Sequence, residues 1–213
     1  MEAQSARQII ERGGFVAILR GNYTGWFSRI AQALIDAGAT AMEVTFNSPS
    51  AAEGIREVRE AFGDAILMGA GTVLNVQTAQ VALEAGAQFI VAPNTNPQVI
   101  RYCVERDVCV IPGAYTATEV MTAVEAGATL VKLFPAELTY FKNLRGPLNH
   151  VPFVPTGGVE LSNAADFIKL GAVAVGMGSA IIGEYVKHGD GLKTMRERAT
   201  TLAQAIRAAR TAS

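Results

Sequence analysis

Ala126-Gly127-Ala128-Thr129-Leu130-Val131-Lys132-Leu133-Phe134-Pro135 spells out a helix end, a strand and a stop in succession. Gly127 has the place of a helix C′ residue in the left-handed conformation, and the apolar run that follows at once has strand composition. Pro135 closes the run, because a proline cannot donate to a sheet ladder. The same pattern recurs at Ala37-Gly38-Ala39, at Ala85-Gly86-Ala87 and, with one change, at Leu170-Gly171-Ala172.

Working outward, short apolar, β-branched runs alternate with helix-like stretches along the chain. The expected strands lie at Phe15–Leu19, Ala41–Phe46, Ala65–Met68, Gln88–Ala92, Val108–Ile111, Thr129–Phe134, Val151–Val154 and Val173–Met177. Strands alternating with helices mean βαβ units and a parallel sheet, and near-continuous hydrophobicity means burial on both faces. Eight such units predict a (β/α)8 TIM barrel, with a doubly wound sheet as the alternative. An amphipathic stretch, Met1 to Arg12, adds an N-terminal helix, and Asp190 to Ser213 adds a C-terminal helical tail without an assigned function. Residues 1–213 are expected to form one barrel domain.

Bulk composition removes several classes of function. A net charge of −1 offers no electrostatic basis for binding nucleic acid or an anionic membrane. The N-terminus lacks the apolar run of a signal peptide, and no stretch is long and apolar enough to span a bilayer. Cys103 and Cys109 lack metal-site spacing and are read as reduced, buried and inert, as in a cytoplasmic protein. His150 and His188 are too far apart to suggest a histidine metal site, so no metal is expected.

Lys132 is the residue that carries chemistry. The other lysines, Lys142, Lys169, Lys187 and Lys193, fall in helix or loop stretches where an ammonium stays wet. A lysine within a core strand loses hydration, which lowers its pKa and makes it an amine nucleophile near neutral pH. The plainer reading is a strand-end lysine that snorkels to solvent or pairs with a carboxylate. The glycine repeat bears on that choice. Five residues past each repeat glycine stand Glu43, Val91, Lys132 and Gly176. Equal offsets give equal pleat phase, and alternate barrel strands supply one layer of inward side chains. Glu43 and Lys132, from opposite walls, are therefore expected to face each other near the C-terminal mouth. That is an acid/base and nucleophile arrangement, with a buried structural ion pair as the alternative. Coulomb attraction alone would raise the lysine pKa, so water or substrate must separate the two groups.

The later loops carry phosphate-binding features. Pro155-Thr156-Gly157-Gly158-Val159 follows the seventh run, and Gly176-Met177-Gly178-Ser179-Ala180 follows the eighth and is expected to open a short helix. Barrels commonly bind phosphate at these two positions, so Gly157, Gly158, Gly178 and Ser179 are the candidate phosphate ligands. Met68-Gly69-Ala70-Gly71-Thr72 has half of a dinucleotide fingerprint but lacks its third glycine and acidic partner. Arg20 ends the first run and suits a substrate carboxylate, although a surface salt bridge explains it equally. Thr72 ends the third run and either donates to the same carboxylate or serves as a cap. Pro93-Asn94 and Pro112-Gly113 read mainly as turn chemistry. Phe134 shares a face with Lys132 and either walls the pocket or packs in the core.

Five segments together resemble a known family. They are Ala17-Ile18-Leu19-Arg20-Gly21, Met42-Glu43-Val44-Thr45-Phe46, Gly69-Ala70-Gly71-Thr72-Val73-Leu74, Val131-Lys132-Leu133-Phe134-Pro135-Ala136-Glu137 and Pro155-Thr156-Gly157-Gly158-Val159. In this order they are similar to the 2-keto-3-deoxy-6-phosphogluconate, 2-keto-3-deoxy-6-phosphogalactonate and 4-hydroxy-2-oxoglutarate aldolases. The resemblance implies a (β/α)8 barrel, a homotrimer, and a class I Schiff-base mechanism on a small 2-keto acid, without metal or cofactor. It maps the Schiff-base lysine onto Lys132 and the general acid/base onto Glu43. It also makes Asn47, Pro93, Phe134 and Thr156 candidate substrate-binding residues. Asn47-Ser48-Pro49, with the arginine at Arg20, looks like the galactonate type, whereas Thr156 looks like the gluconate type, so the C4 epimer stays open. The alternatives are 4-hydroxy-2-oxoglutarate as substrate, a phosphate-binding isomerase or synthase barrel, and a non-catalytic phosphosugar sensor.

Overall fold

The computed structural model describes residues 1–211; Ala212 and Ser213, the end of the expected tail, lie outside the described residues. Strands β1 (Phe15–Leu19), β2 (Ala41–Thr45), β3 (Leu67–Gly71), β4 (Phe89–Val91), β5 (Cys109–Ile111) and β8 (Val175–Met177) form one sheet, ordered β5-β4-β3-β2-β1-β8. Every pairing in it is parallel. Two short strands, β6 (Gly113–Ala114) and β7 (Lys132–Leu133), pair separately.

Backbone bonds close the ring between these pieces. Lys132 N–H donates to the Pro112 carbonyl, Val154 N–H to Val131 and Gly176 N–H to Pro155. Bridges Val131↔Phe153 and Thr156↔Gly176 complete the circuit. The sheet is a curled parallel barrel with helices outside, the (β/α)8 architecture. The doubly wound alternative fails because β8 returns to pair with β1.

Prolines explain where the expected strands shorten. Val151–Val154 is not a continuous strand; it is held by the single bridge at Phe153, with Pro152 and Pro155 on either side. Neither proline has an N–H for the ladder. Pro112 divides β5 from β6 in the same way, and the expected run Thr129–Phe134 keeps only Lys132–Leu133 as strand. The third strand begins two residues later than Ala65 and runs to Gly71, because its glycines hide the β signal.

The four repeat glycines perform the expected turn. Gly38, Gly86, Gly127 and Gly171 have φ of 81°, 100°, 96° and 92°, each at a helix end. This fixes the phase of the strands that follow, β2, β4, β7 and β8. Three residues on lie Ala41, Phe89, Leu130 and Ala174, all in the cluster that fills the barrel interior. Five residues on lie Glu43, Val91, Lys132 and Gly176, the next layer toward the C-terminal mouth.

The helices are α1 (Ala3–Gly13), α2 (Phe27–Asp36), α3 (Ala51–Phe62), α4 (Val76–Glu84), α5 (Pro97–Val104), α6 (Ala117–Glu125), α7 (Leu138–Arg145), α8 (Ala164–Lys169) and α9 (Gly191–Thr211). α1 sends Ala6 and Ile10 into the interior cluster and plugs the N-terminal end of the barrel. α9 is the expected C-terminal stretch. It packs between α2 and α8, burying Met195, Leu202 and Ile206, so it completes the outer layer. Arg210 near its end donates to the carbonyls of Arg12 (2.9 Å) and Val173 (2.8 Å), tying α9 across the base.

Candidate active site

Parallel pairing brings all strand C-termini to one end, and the chemistry-bearing side chains collect there. Glu43 is 1% exposed and Lys132 is 4% exposed. Both line one small cavity together with Val91, Thr156 and Gly176. At about 10 Å³ it is at the lower limit of space for a single water molecule. Among the described residues no ion pair or hydrogen bond joins Glu43 to Lys132.

Glycines make this crowding possible. A Cβ on Gly71 would run into the Glu43 carboxylate, and a Cβ on Gly176 would run into the Thr156 hydroxyl. One layer down, a Cβ on Gly69 would run into the Phe89 ring. The β3 glycines that weaken the strand signal therefore give the large interior side chains their room.

Burial pushes the Glu43 carboxyl up, and the nearby Lys132 and Arg20 charges pull it partly back. For Lys132 the main effect is again burial, which lowers the amine; Glu43 opposes this and Arg20 adds to it. Both shifts favour the neutral forms, an amine with a free lone pair and a protonated carboxyl. The Phe134 ring, its centroid 4.9 Å from Lys132 Nζ, works the other way by attracting an ammonium.

A wider cavity of about 410 Å³ adjoins the small one, with Ile18, Thr156 and Gly176 in both walls. It reaches solvent past Arg20, Phe134, Gly157, Gly158, Gly178 and Ser179. Its volume suits a small organic ligand, whereas the inner cavity does not. Among the described residues the amides of Gly157, Gly158, Ser179 and Ala180 donate to no protein group. Two glycine-bearing loops thus present unused donors to one space, as an anion requires. The expected helix after β8 is only a single turn, in which Ile181 and Ile182 N–H both donate to the Gly178 carbonyl.

Three expected substrate contacts stand on the rim outside both cavities. Asn47 is exposed past the end of β2, and Pro93 is half-buried past β4 beside Gly113. Thr72 is half-buried past β3 with φ of 57°. Positive φ is strained for a β-branched residue, and such strain concentrates at functional sites. Next to Arg20, the Gly21 N–H donates to Ser48 Oγ at 3.0 Å, and Ser48 Oγ lies 2.8 Å from Thr45 Oγ1, bracing the β1 and β2 exits. Glu137, within the Lys-Leu-Phe-Pro-Ala-Glu segment, caps α7 by accepting from Thr139 and Tyr140 N–H.

Tyr23, Glu160 and Glu184 also line the wide cavity. Glu160 directly follows the Gly157-Gly158-Val159 loop, which would have pointed to it, whereas the loops of Tyr23 and Glu184 have no apolar period that would select them. Elsewhere, burial pushes the Cys103 and Cys109 thiols up to about 12, which leaves them unreactive at neutral pH. Among the described residues no three His, Cys, Asp or Glu side chains group as metal ligands, and no helix is long and apolar enough to cross a membrane.

Comparison with known proteins adds to this geometry. Residues 7–196 match the family model described as aldolase, KDPG and KHG aldolase. A Treponema pallidum protein named 2-dehydro-3-deoxy-phosphogluconate aldolase is 47% identical over 143 residues, 65% of this chain and 68% of that protein. An Escherichia coli protein named 2-dehydro-3-deoxy-6-phosphogalactonate aldolase is 36% identical over 198 residues, covering 91% of this chain and 95% of its own. A solved structure named as native KDPGal superposes with a TM-score of 0.86 at 35% identity, over 92% of this chain and 96% of its own.

Proposed function

Starting from the fact that this chain belongs to the KDPG and KHG aldolase family, we propose how its residues divide the work of an aldehyde-lyase. The reaction is cleavage of a 2-keto-3-deoxy-6-phospho sugar acid, of gluconate or galactonate type, to pyruvate and glyceraldehyde 3-phosphate. Lys132 is the Schiff-base nucleophile and Glu43 the general acid/base.

Neutral Lys132 attacks the C2 ketone, and protonated Glu43 gives its proton, through a water, to the departing carbinolamine hydroxyl, so that water leaves, a protonated imine forms and Glu43 becomes a carboxylate. Glu43, through a water in the inner cavity, takes the C4 hydroxyl proton. The C3–C4 bond then breaks, its electron pair moves into the imine as an enamine, and glyceraldehyde 3-phosphate leaves. Protonation at C3 and hydrolysis of the imine release pyruvate and restore the amine. Arg20 holds the substrate carboxylate, with Thr72 reaching it from the rim, and Phe134 and Thr156 bound the carbon chain within the cavity, with Asn47 and Pro93 at its rim. The amides around Gly157, Gly158, Gly178 and Ser179 hold the phosphate. No metal or cofactor is required in this scheme.

The observation that carries this reading is the pairing of one buried lysine with one buried carboxyl in a cavity sized for water, opening onto a wider cavity with unused amide donors. In the same reading residues 1–213 act as one barrel domain, in the cytoplasm, as a homotrimer.

Steady-state kinetics test it, with both C4 epimers of the 6-phospho acid and with 4-hydroxy-2-oxoglutarate. Cleavage of at least one phosphorylated epimer, with a higher kcat/KM than 4-hydroxy-2-oxoglutarate, is expected. Preference for 4-hydroxy-2-oxoglutarate would reassign the substrate within the family, and absence of pyruvate release from all three would reject the reading.

A further inference from the structure

The wide cavity has an electrostatic imbalance for the ligand just assigned to it. Arg20 is the only cationic residue among its described lining, and it stands at the β1 exit beside the Glu43–Lys132 centre. Glu160 and Glu184 are the two acidic residues in the same lining. A phosphate dianion entering the mouth therefore meets two negative side chains and amide dipoles, with its one cation committed to the other end of the substrate.

A second cation stands ready just behind this wall. Glu184–Lys187 forms a 3₁₀ turn after β8, anchored by buried Val186. Lys187 Nζ lies 2.8 Å from Glu184 Oε2 and 5.1 Å from the centroid of the Tyr23 ring. The Glu184 side chain is 68% exposed and the Lys187 side chain 20%, so solvent screens the carboxylate side and the ion pair is worth little against a stronger anion. Lysine carries its charge on a flexible four-carbon stem, so it can follow a ligand over a few ångströms. Tyr23 is 2% exposed, and among the described residues its hydroxyl has no hydrogen-bond partner. A Cβ on Gly21 would stand 3.4 Å from both Glu184 Oε1 and the Tyr23 ring, so these groups meet at one corner of the mouth. Burial and the Glu184 charge raise the Tyr23 hydroxyl, which keeps it a neutral donor.

We propose that Tyr23 and Lys187 form the distal corner of the substrate site and determine specificity for a terminal phosphate. Lys187 supplies the missing cation on leaving Glu184, and Tyr23 donates a hydrogen bond. Glu184 holds Lys187 in place when no anion is bound. The inference rests on the reading of the wide cavity as the phosphate end.

Kinetics of Lys187→Gln, Lys187→Arg, Glu184→Gln and Tyr23→Phe test it, using the 6-phospho substrate and its dephosphorylated analogue. Loss of a charge-assisted contact in Lys187→Gln should raise KM for the phosphorylated substrate by about 10-fold or more, with kcat nearly unchanged. Lys187→Arg should restore most of it, Tyr23→Phe should raise KM a few-fold, and Glu184→Gln should lower KM or leave it alone. The dephosphorylated analogue should respond to none of these. If Lys187 merely braces the turn, Lys187→Gln and Glu184→Gln will damage both substrates alike, which overturns the proposal. A wild type without preference for the phosphorylated substrate removes the underlying phosphate reading as well. A wild type with that preference, and a Lys187→Gln variant of unchanged KM, overturns this inference alone.

Discussion

Glu43 and Lys132 line the same small cavity, each almost wholly buried, yet no ion pair joins them among the described residues. A buried ion pair held for stability would close that gap, because two desolvated charges repay their cost only at close range. A gap with room for one water is what proton transfer between carboxyl and substrate needs. Glu43→Gln should therefore keep the melting temperature within a few degrees and reduce turnover by roughly 10²–10⁴, the usual scale for general acid/base catalysis. A large fall in melting temperature with unchanged turnover would mark Glu43 as structural.

The two groups are also coupled electrostatically. Glu43 raises the Lys132 amine against the larger lowering by burial. Removing the carboxylate should let that amine fall further, so the neutral form persists to lower pH in Glu43→Gln. Competitive acetylation of Lys132 with acetic anhydride, followed by peptide mass spectrometry across pH, reads this directly. The Lys132 labelling curve should move to lower pH in the variant. The sign for stability follows from the same shift. A lysine lowered in the folded state contributes stability above its unfolded value, lost as pH falls through the folded one. Lys132→Met should therefore lessen the loss of stability as pH falls from the unfolded value to the lower folded one.

Gly71 tests the crowding within the barrel. Its added Cβ would occupy the place of the Glu43 carboxylate. Gly71→Ala should cost about 1–3 kcal/mol in stability, as overpacking does, and should lower kcat because it moves Glu43. Chemical denaturation and kinetics on one preparation give both numbers, and wild-type kcat would show that the carboxylate position is not critical.

Gly178 offers the opposite case. A Cβ there would meet only ordinary contacts, the nearest being the Ile18 carbonyl at 3.6 Å. Gly178→Asp should therefore fold and place a carboxylate against the phosphate position. The advantage of the 6-phospho substrate over its dephosphorylated analogue should disappear, while activity on 4-hydroxy-2-oxoglutarate changes far less. An unchanged preference would place the phosphate elsewhere.

Much of this was legible in the sequence because one local rule repeats. A left-handed glycine at the end of a helix fixes the pleat phase of the next strand. Counting from Gly38 and Gly127 therefore places Glu43 and Lys132 in one layer before any tertiary contact is known. Strand lengths were less legible, since Pro112, Pro152 and Pro155 break the ladder without moving the chain out of the barrel. The rim was least legible. Asn47 and Pro93 follow strands of the right phase yet lie outside the wide cavity, whose lining includes Tyr23 and Glu184 instead. These come from irregular loops whose direction depends on packing, which no periodicity encodes.

The proposed mechanism turns on Lys132 as the nucleophile, and covalent trapping tests that role most directly. The protein is incubated with pyruvate and sodium borohydride, and intact and peptide masses are measured. Reduction of the imine should add one pyruvyl-derived group at Lys132, inactivate the enzyme and be absent from Lys132→Arg, whose guanidinium stays protonated. A label on any other lysine, or no label in a protein that still cleaves the 6-phospho acid, would contradict it.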